Sequence, residues 1–591
     1  MADTNAAKPT AQVRFPTRGP RAEGEPAPRY VVSAGTAFKR RYLVWIRRFS
    51  QVFFLALFVW MVARTEFTGS FTDAATGEET IKLGEPVAGF LWFDPLVAMG
   101  TALASHSLYK ELLFALGLLV ATMLVGRFFC GWICPFGTLH QFFGWLAPSR
   151  KGKVRVDRNM TLKYQQIKYY ILLAMGVAAL FGSLQIGLLD PICVMVRSTG
   201  LFVLPAAAHA ARAGADVLYA TNTSAGIWVG DTINNAVPAV LPAKEYTYHY
   251  IWILGSLFVG FLFMNRIITR FWCRAICPLG ALLGVSSRWA IYGMEKDHDK
   301  CTDCNLCILH CQGAADPQGG VQWNVSECHL CFNCENLCPD DVITFKFFPR
   351  QKSIQPAPVH MSRRRLLSAA GVAAVAVPMS RIADMGPPDR GSTNYRADLI
   401  RPPGSMPEPQ FLERCIKCAE CMKVCPNNAL HPALMEGGLE GMWTPVLIPR
   451  LGYCEHSCTL CGEVCPTGAI QRITEDQKVG RGMPPIKIGT AFYDHGRCLP
   501  WSMATPCIVC EEFCPTSPKS IYVDIASVPK RDGTMIEVKR PYVNPDLCIG
   551  CGACEKVCPI MDRPAVYVTS IGETRSKTNI ILLENTAYGK S

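Results

Sequence analysis

Apolar residues are concentrated in the first half of this 591-residue chain. Four apolar runs precede residue 290, at about 37–63, 111–129, 166–187 and 248–268. Each approaches the roughly 20 residues that a bilayer core demands, so each predicts a membrane-spanning helix. A fifth, shorter run from Leu366 to Met379 follows Arg363, Arg364 and Arg365. By length it matches the apolar core of an export signal, with a small-residue pattern at Ala374-Val375-Ala376. Taken over 361–383, with Arg381 snorkelling, it predicts a fifth, uncleaved span. Beyond it the pattern predicts only short strands, such as Ser520–Ile525 and Ala565–Thr569.

Charge orients these runs. The segment 147–168 holds seven Lys or Arg and one Asp, whereas 64–110 and 187–247 hold three positive residues each. The positive-inside rule puts the N-terminus, 130–168 and the sequence after 268 in the cytoplasm. A formal charge of +12 needs no nucleic acid to explain it, because much of it flanks apolar spans. Four spans return the chain to the cytoplasm, and a fifth carries everything after it to the other side. The expected fold class is an α+β membrane protein. A duplicated helical-hairpin, four-helix membrane half is joined to ferredoxin-like iron-sulfur domains, with a fifth transmembrane helix. The expected boundaries are an arm over 1–36, rich in Pro, Ala, Arg and Gly, the membrane half over 37–290 and a two-cluster domain over 291–355. The fifth span over 361–383, a linker over 384–408 and a four-cluster domain over 409–591 follow.

The membrane half contains a repeat. Arg127–Leu139 and Arg270–Leu282 share R-F-x-C-x-x-I-C-P-x-G-x-L, and Phe93-Asp94-Pro95 is echoed by Leu189-Asp190-Pro191. Two copies running in the same direction imply an axis along the membrane normal. They place Cys130, Cys134, Cys273 and Cys277 at one depth. A C-x-x-x-C spacing on a helix sets two sulfurs on one face. The four thiols suit a metal centre, a dithiol that cycles through a disulfide, or packing where helices end. Asp94 and Asp190 read as helix caps before proline, or as carboxylates taking protons from a quinol. His106 and His249 lie near the outer ends of spans, where haem or quinone contact is conceivable. Cys193 stands alone.

The 29 cysteines are clustered with metal-ligand spacing, unlike a disulfide framework. Cys301, Cys304, Cys307 and Cys311, then Cys328, Cys331, Cys334 and Cys338, have the bacterial 4Fe-4S spacing. In that arrangement the fourth cysteine of each run serves the other cluster. This gives Cys301, Cys304, Cys307 and Cys338 for one, and Cys328, Cys331, Cys334 and Cys311 for its neighbour. Four further motifs follow the fifth span. They are Cys415, Cys418, Cys421 and Cys425; Cys454, Cys458, Cys461 and Cys465; Cys498, Cys507, Cys510 and Cys514; and Cys548, Cys551, Cys554 and Cys558. Exchange of fourth ligands between neighbours or in nested order is open. The irregular motifs are the second and third, and pairing like with like favours nesting. Nesting gives Cys415, Cys418, Cys421 with Cys558; Cys454, Cys458, Cys461 with Cys514; Cys498, Cys507, Cys510 with Cys465; and Cys548, Cys551, Cys554 with Cys425. Six motifs use 24 cysteines, so six 4Fe-4S clusters are expected.

Arg127–Leu139, Arg270–Leu282 and the Cys301–Cys338 pair resemble the NapH-type membrane ferredoxins, and also the polyferredoxin part of the nitrous oxide reductase regulators. The chain from Ser362-Arg-Arg-Arg-Leu-Leu onward resembles the NapG-type exported ferredoxins. The resemblance implies electron passage between membrane quinone or quinol and a periplasmic acceptor, a cytochrome or molybdenum enzyme, at the bacterial cytoplasmic membrane. Nested ligand exchange is also the pattern of similar four-cluster subunits. A redox factor for metalloenzyme maturation, or an electron-transfer subunit of a larger respiratory complex, are the alternatives. The chain departs from the resemblance by fusing two proteins and by lacking a large N-terminal domain for flavin.

Overall fold

Xaa-Pro steps interrupt the apolar sequence repeatedly, and they decide the architecture of the first half. The computed structural model describes residues 34–68, 82–83, 86–107, 112–146, 153–160, 164–241, 246–297, 301, 304–317, 322–338, 342–349, 355–356, 362–384, 398–577 and 579. The expected arm lies outside them up to residue 33, as does the linker over 385–397.

Helix α1 (Ala34–Arg64) is continuous. Then come α2 (Pro95–Ser105), α3 (Leu112–Val125), α4 (Pro135–Leu146), α5 (Ile167–Leu180), α6 (Pro191–Ser198), α7 (Ile251–Phe263) and α8 (Pro278–Ser286). Helices α2, α4, α6 and α8 each open on proline. Proline is tolerated at a first helical position and pushes the preceding residue out of the helical region. Asp94, Asp190 and Cys277 accordingly have ψ of 106°, 129° and 108°.

Inside three of the expected runs the helices are shorter than the runs themselves. Helices α3, α5 and α7 have 14, 14 and 13 residues and rise roughly 20 Å, against a hydrocarbon core of about 30 Å. Among the described residues, Tyr42–Arg64 and Pro191–Ala220 are long and apolar enough to cross a membrane unaided. The half-helices fill the same layer. Its outward side chains are apolar, including Phe49, Phe53, Leu113, Phe114, Trp252 and Phe263.

Helix α9 (Arg363–Asp384) contains the fifth run and lies along α5. It starts where Ser362 N donates to the Tyr170 hydroxyl. Ala373 and Val377 are buried, while Leu367, Val372, Val375 and Met379 face outward.

The cysteine-rich units are built on short antiparallel pairs. In the first, β1 (Tyr292–Lys296) pairs with β2 (Ile343–Phe347) around both inner motifs. In the second, α10 (Glu408–Arg414) precedes the hairpin β3 (Leu430–Pro432) and β4 (Pro445–Leu447), and a bridge joins Ser405 to Ile470. In the third, β5 (Thr490–Tyr493) pairs with the last strand, β8 (Val566–Thr569). Between them β6 (Ile521–Pro529) and β7 (Met535–Val543) form a long ribbon.

An ion-pair seam ties the two outer units together. Glu408 joins Arg401 and Arg575. Burial raises the Glu408 carboxyl, but the two guanidinium groups outweigh it and hold it at about 2. This lies below the unfolded value of 4.5, so the stabilisation is complete above pH 4.5 and is lost as pH falls toward 2. Glu408→Gln is expected to lower the denaturation midpoint at pH 7. Its deficit should shrink as pH drops below 4.5, and an unchanged midpoint at pH 7 would count against the seam.

Candidate metal centres

The two ferredoxin-like regions sit at opposite ends of the helical layer. At one end Trp132 Nε1 donates to Leu330 O (3.0 Å), and Arg127 Nη1 donates to Ser326 O. Arg270 Nη1 contacts His329 Nδ1 at 3.3 Å and donates to Cys130 O at 3.1 Å. Lys168, Arg127 and the Tyr169 hydroxyl converge on Glu327. Gly131 lets the chain of His329 approach closely: a Cβ there would lie 2.1 Å from His329 O.

At the other end Arg197 Nη1 donates to Lys417 O (2.9 Å), and Lys417 Nζ donates to Gln185 Oε1. Lys423 pairs with Glu66, Tyr250 with Glu436, and Asn428 Nδ2 donates to Thr247 O. A Cβ on Gly187 would lie 1.7 Å from Ile416 O. Ile416 and Cys418 therefore belong to the apolar core of the helical layer. Burial lowers the Lys417 amine to about 7, with Arg197 and Arg401 adding to the effect and Cys415 opposing it.

The thiols group by fold. Cys311 lines a small cavity with Cys328, Cys331 and Cys334. Cys301, Cys307 and Cys338 pack on the same apolar core as Cys311, Cys328 and Cys334, and Cys307 lies beside Cys304. In the outer region Cys415, Cys418 and Cys421 line a cavity with Cys465. Cys498, Cys507 and Cys510 line one with Cys558. Cys425 lies in the electrostatic field of Cys454, Cys458 and Cys461. Cys514 does the same for Cys548, Cys551 and Cys554.

The fold thus brings the fourth cysteine of each outer motif beside the first three of its sequence neighbour, first with second and third with fourth, and it does not bring the nested sets together. The reason is strand pairing. Ser405 before the first motif meets Ile470 after the second, and β5 before the third meets β8 after the fourth. Cys454 N donates to Cys551 O (2.8 Å), so the second and fourth groups adjoin. The groups run from the helical layer in the order Cys415, Cys454, Cys548 and Cys498.

These groups fit iron-sulfur clusters. Apolar walls enclose the thiols, and backbone N–H groups point at sulfur: Ala315 at Cys311, Ala429 at Cys425, Ile470 at Cys465 and Ala565 at Cys558, at 3.3–3.4 Å. Such donors favour the thiolate. Cys465→Ser is expected to expose Cys415, Cys418 and Cys421 to alkylation in the native protein while Cys498, Cys507 and Cys510 stay protected. Exposure of the Cys498 group instead would restore the nested order.

Inside the helical layer Cys130, Cys134, Cys273 and Cys277 are 5–8% exposed. They feel one another's charge. Each pair straddles a helix break and does not share one helix face. Cys130 lies in the turn Phe128–Trp132 and Cys273 in the π-helical turn Trp272–Ile276. Cys134 and Cys277 cap the next helices, their Sγ accepting from Gly137 N (3.4 Å) and Gly280 N (3.2 Å). Among the described residues no three His, Cys, Asp or Glu are close enough to hold a single metal ion.

Asp94 and Asp190 are fully buried and cap α2 and α6, accepting from Leu96 and Val97, and from Ile192 and Cys193. Asp94 Oδ2 and Asp190 Oδ1 are also buried, with no hydrogen-bond partner among the described residues, and the two carboxyls lie in each other's electrostatic field. His106 ends α2 in a left-handed turn and His249 packs on His431, so the two occupy different surroundings.

Comparisons with known proteins match some of these cysteine-bearing segments. A 4Fe-4S binding domain family matches residues 110–154 and 248–290, whose cysteines are Cys130, Cys134, Cys273 and Cys277. A second 4Fe-4S binding domain family matches residues 411–431 and 541–561. The methylamine utilization ferredoxin-type protein MauM of Methylorubrum extorquens is 32% identical over 36% of this chain and 90% of its own length. The ferredoxin-type protein NapG of Escherichia coli is 32% identical over 29% of this chain and 69% of its own. The putative electron transport protein YccM of E. coli is 24% identical over 48% of this chain and 69% of its own. No solved structure matches.

Proposed function

The chain belongs to the ferredoxin-type protein family of MauM and NapG, and from that membership we propose that it moves electrons between membrane quinone and a redox partner across the cytoplasmic membrane. The carrying observation is that thiol groups flank both ends of one helical layer, with four buried thiols between them. When bound, six 4Fe-4S clusters and a further centre at Cys130, Cys134, Cys273 and Cys277 supply one-electron stations. The protein's own residues set their order. Gly131 and His329 join the Cys328 group to the four buried thiols, and Gly187 and Ile416 bring in the Cys415 group. Arg47, Arg127, Lys168, Arg270 and Arg274 are all buried at the inner seam. Thiolates on iron supply negative charge of the kind such cations require.

Helix α9 is read as the fifth span, putting Cys301–Cys338 in the cytoplasm and Cys415–Cys558 in the periplasm, near a cytochrome or molybdenum enzyme. Its outward apolar side chains and its course along α5 support this. The maturation-factor reading needs thiols that reach a client, and the four buried cysteines offer none at the surface. Protease added to sealed cells should cut the outer units and spare residues 291–349. Purified protein should show cluster bleaching on addition of a short-chain quinol. Absence of both bleaching and reverse transfer would sink the function, and protection of the outer units would sink the topology.

A further inference from the structure

Two aromatic side chains that pack on each other at the outer seam each bury a hydrogen-bonding atom without a partner. Tyr248 is 4% exposed and His431 is not exposed. Neither Tyr248 Oη nor His431 Nε2 has a hydrogen-bond partner among the described residues. The rings are edge-on with centroids 5.9 Å apart, and His249 N donates to His431 Nδ1 at 3.4 Å. Leaving two such atoms dry is costly, so the fold holds them for something.

Three neighbours say what that is. Burial, with His249 beside it, brings the His431 imidazole down to about 4, so the site is uncharged at neutral pH. Tyr248 lies within the field of Cys425 and Cys421, which belong to two adjoining thiol groups of the outer region. It also immediately precedes α7, whose Trp252, Ile253 and Leu257 face outward from the layer. An uncharged aromatic site with two polar atoms, beside redox groups and at the end of an apolar-faced helix, suits a lipid-borne molecule with two ring oxygens. We propose that Tyr248 and His431 bind the headgroup of a membrane quinone, one ring oxygen to each. Carbonyl oxygens of the quinone accept from these groups. Hydroxyls of the quinol donate to them, since a phenol and a neutral imidazole both serve either way. The site rests on the quinone reading above and gives it a location.

The test uses the full-length protein in lipid nanodiscs and a photoreactive azidoquinone with a short isoprenoid tail. Label is expected on peptides holding Tyr246–Ile251 or Asn428–Leu434. Tyr248→Phe and His431→Leu should each weaken azidoquinone binding about tenfold, the loss of one good buried hydrogen bond. His431→Gln, which keeps a polar nitrogen, should recover part of it. Iron content serves as the folding control. Unchanged binding in both variants at full iron content would overturn the site, ordered water then being its occupant. Label elsewhere, with quinol still bleaching the clusters, would overturn the site and leave the function standing. No label together with no bleaching would remove both.

Discussion

Gly187→Ala is expected to unseat the outer units from the helical layer while leaving all their thiol groups formed. The added Cβ would fall 1.7 Å from the Ile416 carbonyl oxygen and 2.6 Å from its carbon. These are backbone atoms at the start of the first outer motif, so no side chain can swing aside. Overpacking of this kind costs about 1–3 kcal/mol, which is roughly a tenfold to hundredfold loss of the docked state. Gly131→Ala should do the same at the inner seam, where the clash is with His329 O at 2.1 Å. Neither glycine has a left-handed backbone, so alanine is excluded by close approach alone. Iron content should be unchanged, proteolysis of the affected seam faster, and electron exchange across it slower. Normal exchange in both variants would show that the seams are not on the route.

Glu327→Ala should weaken the inner seam more than any single surface change. Lys168 is fully buried and pairs with this carboxylate, as does Arg127, and the Tyr169 hydroxyl donates to it at 2.8 Å. Removing one partner of a buried ion pair strands the other charge and costs about 3–5 kcal/mol. Glu327→Gln should cost less, since an amide still accepts from Tyr169. The readout is the denaturant concentration at which the inner unit loses its cluster absorbance. A midpoint within error of wild type for Glu327→Ala would mean that the seam is held elsewhere.

The motif readings and the fold readings fared differently for physical reasons. Ligand spacing such as Cys415-x-x-Cys418-x-x-Cys421 is a local property, because those sulfurs lie within one turn and its flanks. The fourth ligand is not local. Its partner follows from which strands pair, and regularity of spacing, the basis for nesting, carries no strand information. The apolar runs were legible as runs, but hydropathy averages over the glycines inside them. Helices α3 and α5 stop short of the ends of their runs at Gly126 and Gly182, whose left-handed backbone ends a helix. The capping roles of Asp94 and Asp190 could be read from Asp-Pro; that the two carboxyls meet could not, since 95 residues separate them.

By itself the sequence determined the six ferredoxin motifs, the internal repeat, the caps and the family, all of which depend on residues close in the chain or matched copy to copy. Only the tertiary structure decided which thiols lie together, the order of the thiol groups, the two seams and the meeting of Tyr248 with His431. Each of those depends on surfaces brought together by packing, where a missing Cβ at Gly131 or Gly187 counts for as much as any motif.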